Sequence, residues 1–94
     1  MKIVFHKNFI RKYKKLRLNE KQRFKERRDI FIASPFDPIL NNHLLHGKYA
    51  GYRSISITGN LRVIYKLLKN DMVVFAEIDS HSNLRHGSQE IRLT

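Results

Sequence analysis

Residues 52–79 run YRSISITGNLRVIYKLLKNDMVVFAEID, from Tyr52 to Asp79, and the period of that stretch decides the fold. Apolar residues alternate with polar ones at Ile55 and Ile57, then at Leu61, Val63, Tyr65 and Leu67, which is the two-residue repeat of strands with one buried face. Gly59-Asn60 and Asn70-Asp71 are hairpin turn signals that divide the stretch. Three strands are predicted, Tyr52 to Thr58, Leu61 to Leu68 and Met72 to Asp79, joined as an antiparallel meander.

A meander this small cannot bury its apolar face alone. The preceding residues supply the cover. Ile3, Val4 and Phe5 read as a short first strand, and Phe9, Tyr13 and Leu16 then recur at helical spacing. Asn19, with Gln22 three places on, reads as the capped start of a second helix that buries Phe24 and Phe31 and stops near Ser34-Pro35. The expected fold is α+β: two N-terminal basic helices packed on a small, mainly antiparallel sheet, as a single domain over residues 1–94. Between helices and meander, Pro35 to Gly51 reads as a long loop carrying Asn41, Asn42, His43 and His46, of a length often tied to function. The polar segment from Arg85 to Thr94 reads as an edge strand or as disorder.

Charge narrows the partners. The chain holds 19 Lys and Arg against 8 Asp and Glu, a formal +11, and twelve of the basic residues lie between Met1 and Arg28, opposed only by Glu20 and Glu26. Nucleic acid, an acidic protein, or both are implied. No membrane partner is expected, because the core claims the modest apolar stripes of the basic segments. There is no cysteine, no signal-like apolar run and no 18-residue apolar stretch, so a cytoplasmic protein is expected. The histidines lack ligand spacing, and neither a Gly-rich phosphate loop nor a nucleophile elbow occurs, so no metal and no cofactor is expected.

On the second meander strand Arg62, Ile64 and Lys66 share the face opposite Leu61, Val63 and Tyr65, so two cations stand on the open side of the sheet. Ser54 and Ser56 share that side. There Arg62 offers its planar fork to a phosphate, or else merely solvates an exposed face. His81 follows the last strand, and an unperturbed imidazole, titrating near pH 6.5, suits proton transfer at neutral pH; a surface turn is the plainer reading. Arg53 shares a face with Ile55 and Ile57 and reads either as a phosphate contact or as a structural ion pair.

Three blocks in order, Gly47 to Arg53 (GKYAGYR), Leu61 to Lys66 (LRVIYK) and Asp79 to Leu84 (DSHSNL), resemble the RelE/YafQ branch of type II toxin–antitoxin toxins. The likeness spans about half the chain, from Asn42 to Leu84, and His43-Leu44-Leu45-His46-Gly47 is similar to that branch's His-x-Leu-x-Gly segment. It implies a metal-independent endoribonuclease that cleaves mRNA on the ribosome and is silenced by a cognate acidic antitoxin. In that reading Arg62 is the transition-state cation, His81 the general acid or base and His43 the second proton-transfer group. Lys66, Arg53, Lys48 and Arg85 are then substrate contacts. Ser56 and Asn60 stand where YafQ-like toxins carry a histidine and an acidic residue, and Arg85 where an aromatic is usual, so the site is leaner than its relatives. The related ParE branch, which inhibits DNA gyrase, and a non-catalytic RNA-binding module are the alternatives left open.

Overall fold

Alternation in residues 52–79 builds the expected meander, described here in a computed structural model that covers residues 1–80 and 82–84. The elements are β1 (Lys2–Phe5), α1 (Lys7–Lys14), α2 (Leu18–Ala33), β2 (His43–Leu44), β3 (Arg53–Ser56), β4 (Leu61–Leu68) and β5 (Met72–Ser80). They form one sheet in the order β1-β5-β4-β3-β2, antiparallel except for β1, which runs parallel to β5. This is the α+β architecture the pattern implied.

One face of the sheet takes the helices. Phe9, Phe24, Phe31, Val63, Tyr65, Phe75 and Ile78 lie in its core, with Leu40 added from the loop. Phe75 is the hub: its ring meets those of Phe5, Phe9, Phe24, Phe31 and Tyr65 at centroid separations of 5.7–6.2 Å. Edge and tilted geometries predominate, as ring quadrupoles favour.

Four local features depart from the sequence reading. First, α2 begins two residues earlier than the Asn19 cap implied. Its N-cap is Arg17, whose N–H donates to Glu20 Oε1 at 2.9 Å, so a carboxylate in the first turn satisfies the orphan donor in place of the Asn19–Gln22 pair. Second, β3 stops at Ser56. The turn after it is held by Thr58 Oγ1, which accepts from the Asn60 and Leu61 N–H groups at 3.2 and 2.9 Å. At the other hairpin Asn70 (φ 60°) and Asp71 (φ 57°) take the left-handed backbone that these two residue types tolerate.

Third, the 35–51 loop is structured. Asp37 caps a short 3₁₀ turn at Pro38–Leu40, β2 pairs with β3, and a second 3₁₀ turn spans Gly47–Tyr49 between glycines at φ 67° and 91°. Fourth, β5 carries a bulge: Ile64 pairs with Glu77 and Tyr65 with Phe75, leaving Ala76 without a partner. That extra residue resets the alternation, so Phe75 and Ile78 both point into the core while Glu77 and Asp79 join the opposite face.

Candidate active site

Register pairing lays two rows of side chains across the face away from the helices. One row is His43, Ser54, Ile64 and Glu77; the other is Ser56, Arg62 and Asp79. Paired residues in antiparallel strands project to the same side, so each row is a line of neighbours. The two-residue strand β2 is what brings His43 into line.

This face is partly covered. Ile64 is buried yet lies outside the helix-side core, and Arg62 is only 9% exposed where a solvated cation was one expectation. Part of the cover over Arg62 comes from the preceding loop, whose Asn41 carbonyl and His43 ring both meet the guanidinium. Burial pushes the Tyr49 phenol up and the nearby Glu77 charge adds to that, which places the ring close to the β5 end of the first row. Tyr49 also meets Tyr52 edge-on at 6.1 Å, and Lys66 Nζ lies 5.3 Å from the Tyr52 ring centroid.

Arg62 donates from Nε to Ser54 Oγ (2.6 Å) and from Nη1 to Ser56 Oγ (2.7 Å); Nη2 lies 3.4 Å from both the Asn41 carbonyl and His43 Nδ1. Among the described residues no carboxylate pairs with it. Burial lowers its pKa, although an arginine stays charged regardless. A guanidinium held by neutral hydroxyls keeps its full charge for an incoming anion.

His43 is exposed, and its Nδ1 is 3.0 Å from Asn41 O. With the proton on Nδ1 the ring donates to that carbonyl and Nε2 keeps a free lone pair, the form of a general base. With the proton on Nε2, Nδ1 accepts from Arg62 and the ring can act as an acid. Asn41 itself sits at φ 47°, a left-handed conformation open to asparagine, and this aims its carbonyl at both groups.

The other sequence candidates fall in different places. Lys66 is exposed on the Arg62 face, and Lys48 lies in the 47–49 turn. Arg53 is on the helix side: Nε donates to Asn42 Oδ1 (2.8 Å) and its guanidinium covers the Phe36 ring at 5.1 Å, a neutral setting in place of the ion pair considered from sequence. Asn42 continues the chain of bonds, donating to Tyr65 Oη (2.7 Å) and Pro35 O (2.8 Å). Burial raises the Tyr65 pKa against the opposing pull of Asn42 and Arg53. Arg53 and Asn42 thus brace the loop that carries His43. His81 and Arg85 lie outside the described residues.

Sequence reasoning placed Asn41 and Asn42 in the loop without giving either a role, and singled out neither Lys12 nor Tyr49. Asn41-Asn42 immediately before His43 was a usable signal, since asparagine marks left-handed turns. Lys12 gave none. Its ammonium reaches Asp79 Oδ2 (2.8 Å) and Glu77 Oε1 (3.3 Å), 67 residues away in the first case. Desolvation would lower the Lys12 pKa, but the Asp79 bond and the two carboxylates outweigh it and the net direction is up. Glu77 Oε1 is buried and, ion pair aside, has no hydrogen-bond partner among the described residues.

Solved structures share this architecture. A copper-bound mutant toxin from Helicobacter pylori matches at a TM-score of 0.74 and 29% identity over 89% of this chain and 98% of that one. YafQ from E. coli matches at 0.69 and 21% identity over 87% and 94% of the two chains. A chain of the archaeal RelE–RelB complex from Pyrococcus horikoshii matches at 0.68 and 23%, over 84% and 92%. The last two establish a common fold. Comparison with curated protein sequences gives no match. Residues 1–86 match the family of bacterial toxins of type II toxin–antitoxin systems described as YafQ, and the chain belongs to that family.

Proposed function

We propose that this toxin is a metal-independent endoribonuclease that cuts mRNA, on the ribosome and in the cytoplasm, and so arrests translation. The observation that carries the reading is Arg62, a buried guanidinium bound among the described residues to hydroxyls and a carbonyl, with His43 Nδ1 3.4 Å away. RNA brings its own nucleophile. His43 Nε2 takes the proton of a 2′-hydroxyl, the 2′-oxygen bonds to phosphorus, and the bond to the 5′-oxygen breaks as that oxygen receives a proton. The products are a 2′,3′-cyclic phosphate and a 5′-hydroxyl. Arg62 stabilises the extra charge on the crowded phosphate, a role worth about 2.7–4 kcal/mol for one oriented donor. His81, next after Ser80 in sequence, is the proposed general acid, and Lys66, Lys48 and Arg85 are proposed contacts to the RNA backbone. Arg53 serves by holding the loop.

A cognate acidic antitoxin is the proposed protein partner. Its seat is a cleft of about 420 Å³ lined by Phe5, Phe9, Ile10, Tyr13 and Phe24, with Lys14 and Arg28 also lining it. An amphipathic segment with apolar anchors and flanking carboxylates complements such a wall.

Induced expression followed by mapping of mRNA ends tests the reading. Cuts that vanish with Arg62→Met or His43→Gln support it. Growth arrest with intact mRNA and gyrase-dependent DNA breaks would replace it with the ParE-like alternative.

A further inference from the structure

Arg62 and Asp79 are register partners on adjacent strands and project to the same face, a spacing at which opposite charges ordinarily meet. They do not. The guanidinium turns toward β3 and its two serines, while Asp79 turns the other way: Oδ2 accepts from Lys12 Nζ at 2.8 Å, and Oδ1 accepts from the Ser80 N–H (2.8 Å) and Asn83 Nδ2 (3.1 Å). We infer that Lys12 is a positioning residue that holds Asp79 away from Arg62 and thereby keeps the guanidinium open to a phosphate. The inference rests on the proposed role of Arg62 as the phosphate-binding cation.

The physical reason is competition. A carboxylate offers arginine the same planar pair of oxygens that a phosphate does, so a free Asp79 beside Arg62 would take the donors the substrate needs. Three-quarters of the Asp79 side chain is shielded, its exposure being 24%, and a carboxylate so placed seeks a cation. Lys12 is that cation, and it neutralises Glu77 on the same edge. Lys15 lines the small cleft beside Lys12 and Asp79 but is exposed, so its ammonium stays hydrated.

The probe is a single-stranded RNA oligonucleotide carrying 2′-O-methyl groups, which binds without being cut, titrated against the full chain by fluorescence anisotropy at fixed salt. Lys12→Met is expected to weaken binding about tenfold, the scale of one charge-assisted hydrogen bond, while Lys15→Met, with the same charge removed from the same cleft, changes it by less than about threefold. Adding Asp79→Asn to Lys12→Met is expected to restore binding to within about threefold of wild type. Adding Glu26→Gln, which returns the same net charge from exposed α2, is expected not to. Persistent weakness of the Lys12→Met/Asp79→Asn pair would mean that Lys12 touches RNA directly, and equal rescue by Glu26→Gln would reduce the effect to net charge; either overturns the inference while leaving Arg62 in its proposed role. Unchanged binding by Arg62→Met would instead remove the phosphate site itself, and both readings with it.

Discussion

Ser54 Oγ stands 2.6 Å from Arg62 Nε, so the shortest hydrogen bond of a buried guanidinium goes to a neutral hydroxyl. Such a charge bears a desolvation penalty of several kcal/mol that no described carboxylate offsets, and the two serine bonds, at roughly 1.5–3 kcal/mol each for a charged donor, do no more than balance it. Arg62→Met, which keeps length and discards charge, is therefore expected to leave the melting temperature unchanged or raised while mRNA cleavage falls about 100- to 1000-fold. A clear drop in melting temperature, by calorimetry, would show that Arg62 is a structural element.

His43→Gln retains a polar side chain but cannot carry the proton. Loss of a positioned base is worth roughly 100- to 10,000-fold, so single-turnover cleavage should fall in that range while binding of the 2′-O-methyl oligonucleotide holds. A 2′-deoxy group at the scissile nucleotide should block wild-type cleavage. Cutting of that substrate would point to water as the nucleophile.

Asn42 joins Pro35, Tyr65 and Arg53 by three hydrogen bonds. Asn42→Ala is expected to destabilise the protein by about 1–3 kcal/mol, since it strands partners in a part-buried network. For a chain of this size that is a fall of several degrees in melting temperature, roughly 4–8 °C per kcal/mol. Urea denaturation gives the free energy directly, and a change under about 0.5 kcal/mol, the scale of an unremarkable surface substitution, would deny the brace.

Desolvation tends to raise the Asp79 pKa, but bonds from Lys12, Asn83 and the Ser80 N–H outweigh it and hold the carboxyl below the ordinary value. A folded pKa below the unfolded one stabilises the protein above the unfolded value, near 4, and that contribution is lost as pH falls through the folded value. Urea midpoints measured downward from about pH 5 should decline less steeply for Asp79→Asn than for wild type. Parallel curves would mean the carboxylate contributes nothing.

Ile10 is 43% exposed on the wall of the α1–α2 cleft. Ile10→Glu should leave cleavage intact yet cost antitoxin affinity at least about tenfold, because it sets a carboxylate against an acidic partner. Co-expression reads this as toxicity that the antitoxin no longer relieves. Full relief would move the seat elsewhere.

What could be read in advance was whatever depends on neighbours in sequence. The side of β4 on which Arg62, Ile64 and Lys66 project follows from alternation alone, and the Asn70-Asp71 turn from backbone tolerance. Arg62's burial was out of reach, because the Asn41 carbonyl and His43 ring that meet it come from 21 and 19 residues earlier, on a loop whose path only the folded sheet defines. The pairing of His43 with Ser54 hides in a strand too short to show a period. Capping of α2 was misassigned because Asn19 and Glu20 are adjacent and both suit a helix start. Ala76 carries no bulge signal, and Lys12 meets Asp79 only across nearly the whole fold.

Among the described residues β1 has one neighbour in the sheet, and Val4 pairs with Val74, which the ribosome makes 70 positions later. At translation rates of about 5–20 residues per second, the first strand waits roughly 4–14 seconds for its partner to be synthesised. Phe75, the hub of the aromatic core, arrives on the same late segment. Nascent chains therefore carry the basic helices, with Phe9, Phe24 and Phe31, before the strand that completes their core exists. Biosynthesis itself delays maturation, a built-in interval during which a partner that is already present can engage the growing polypeptide.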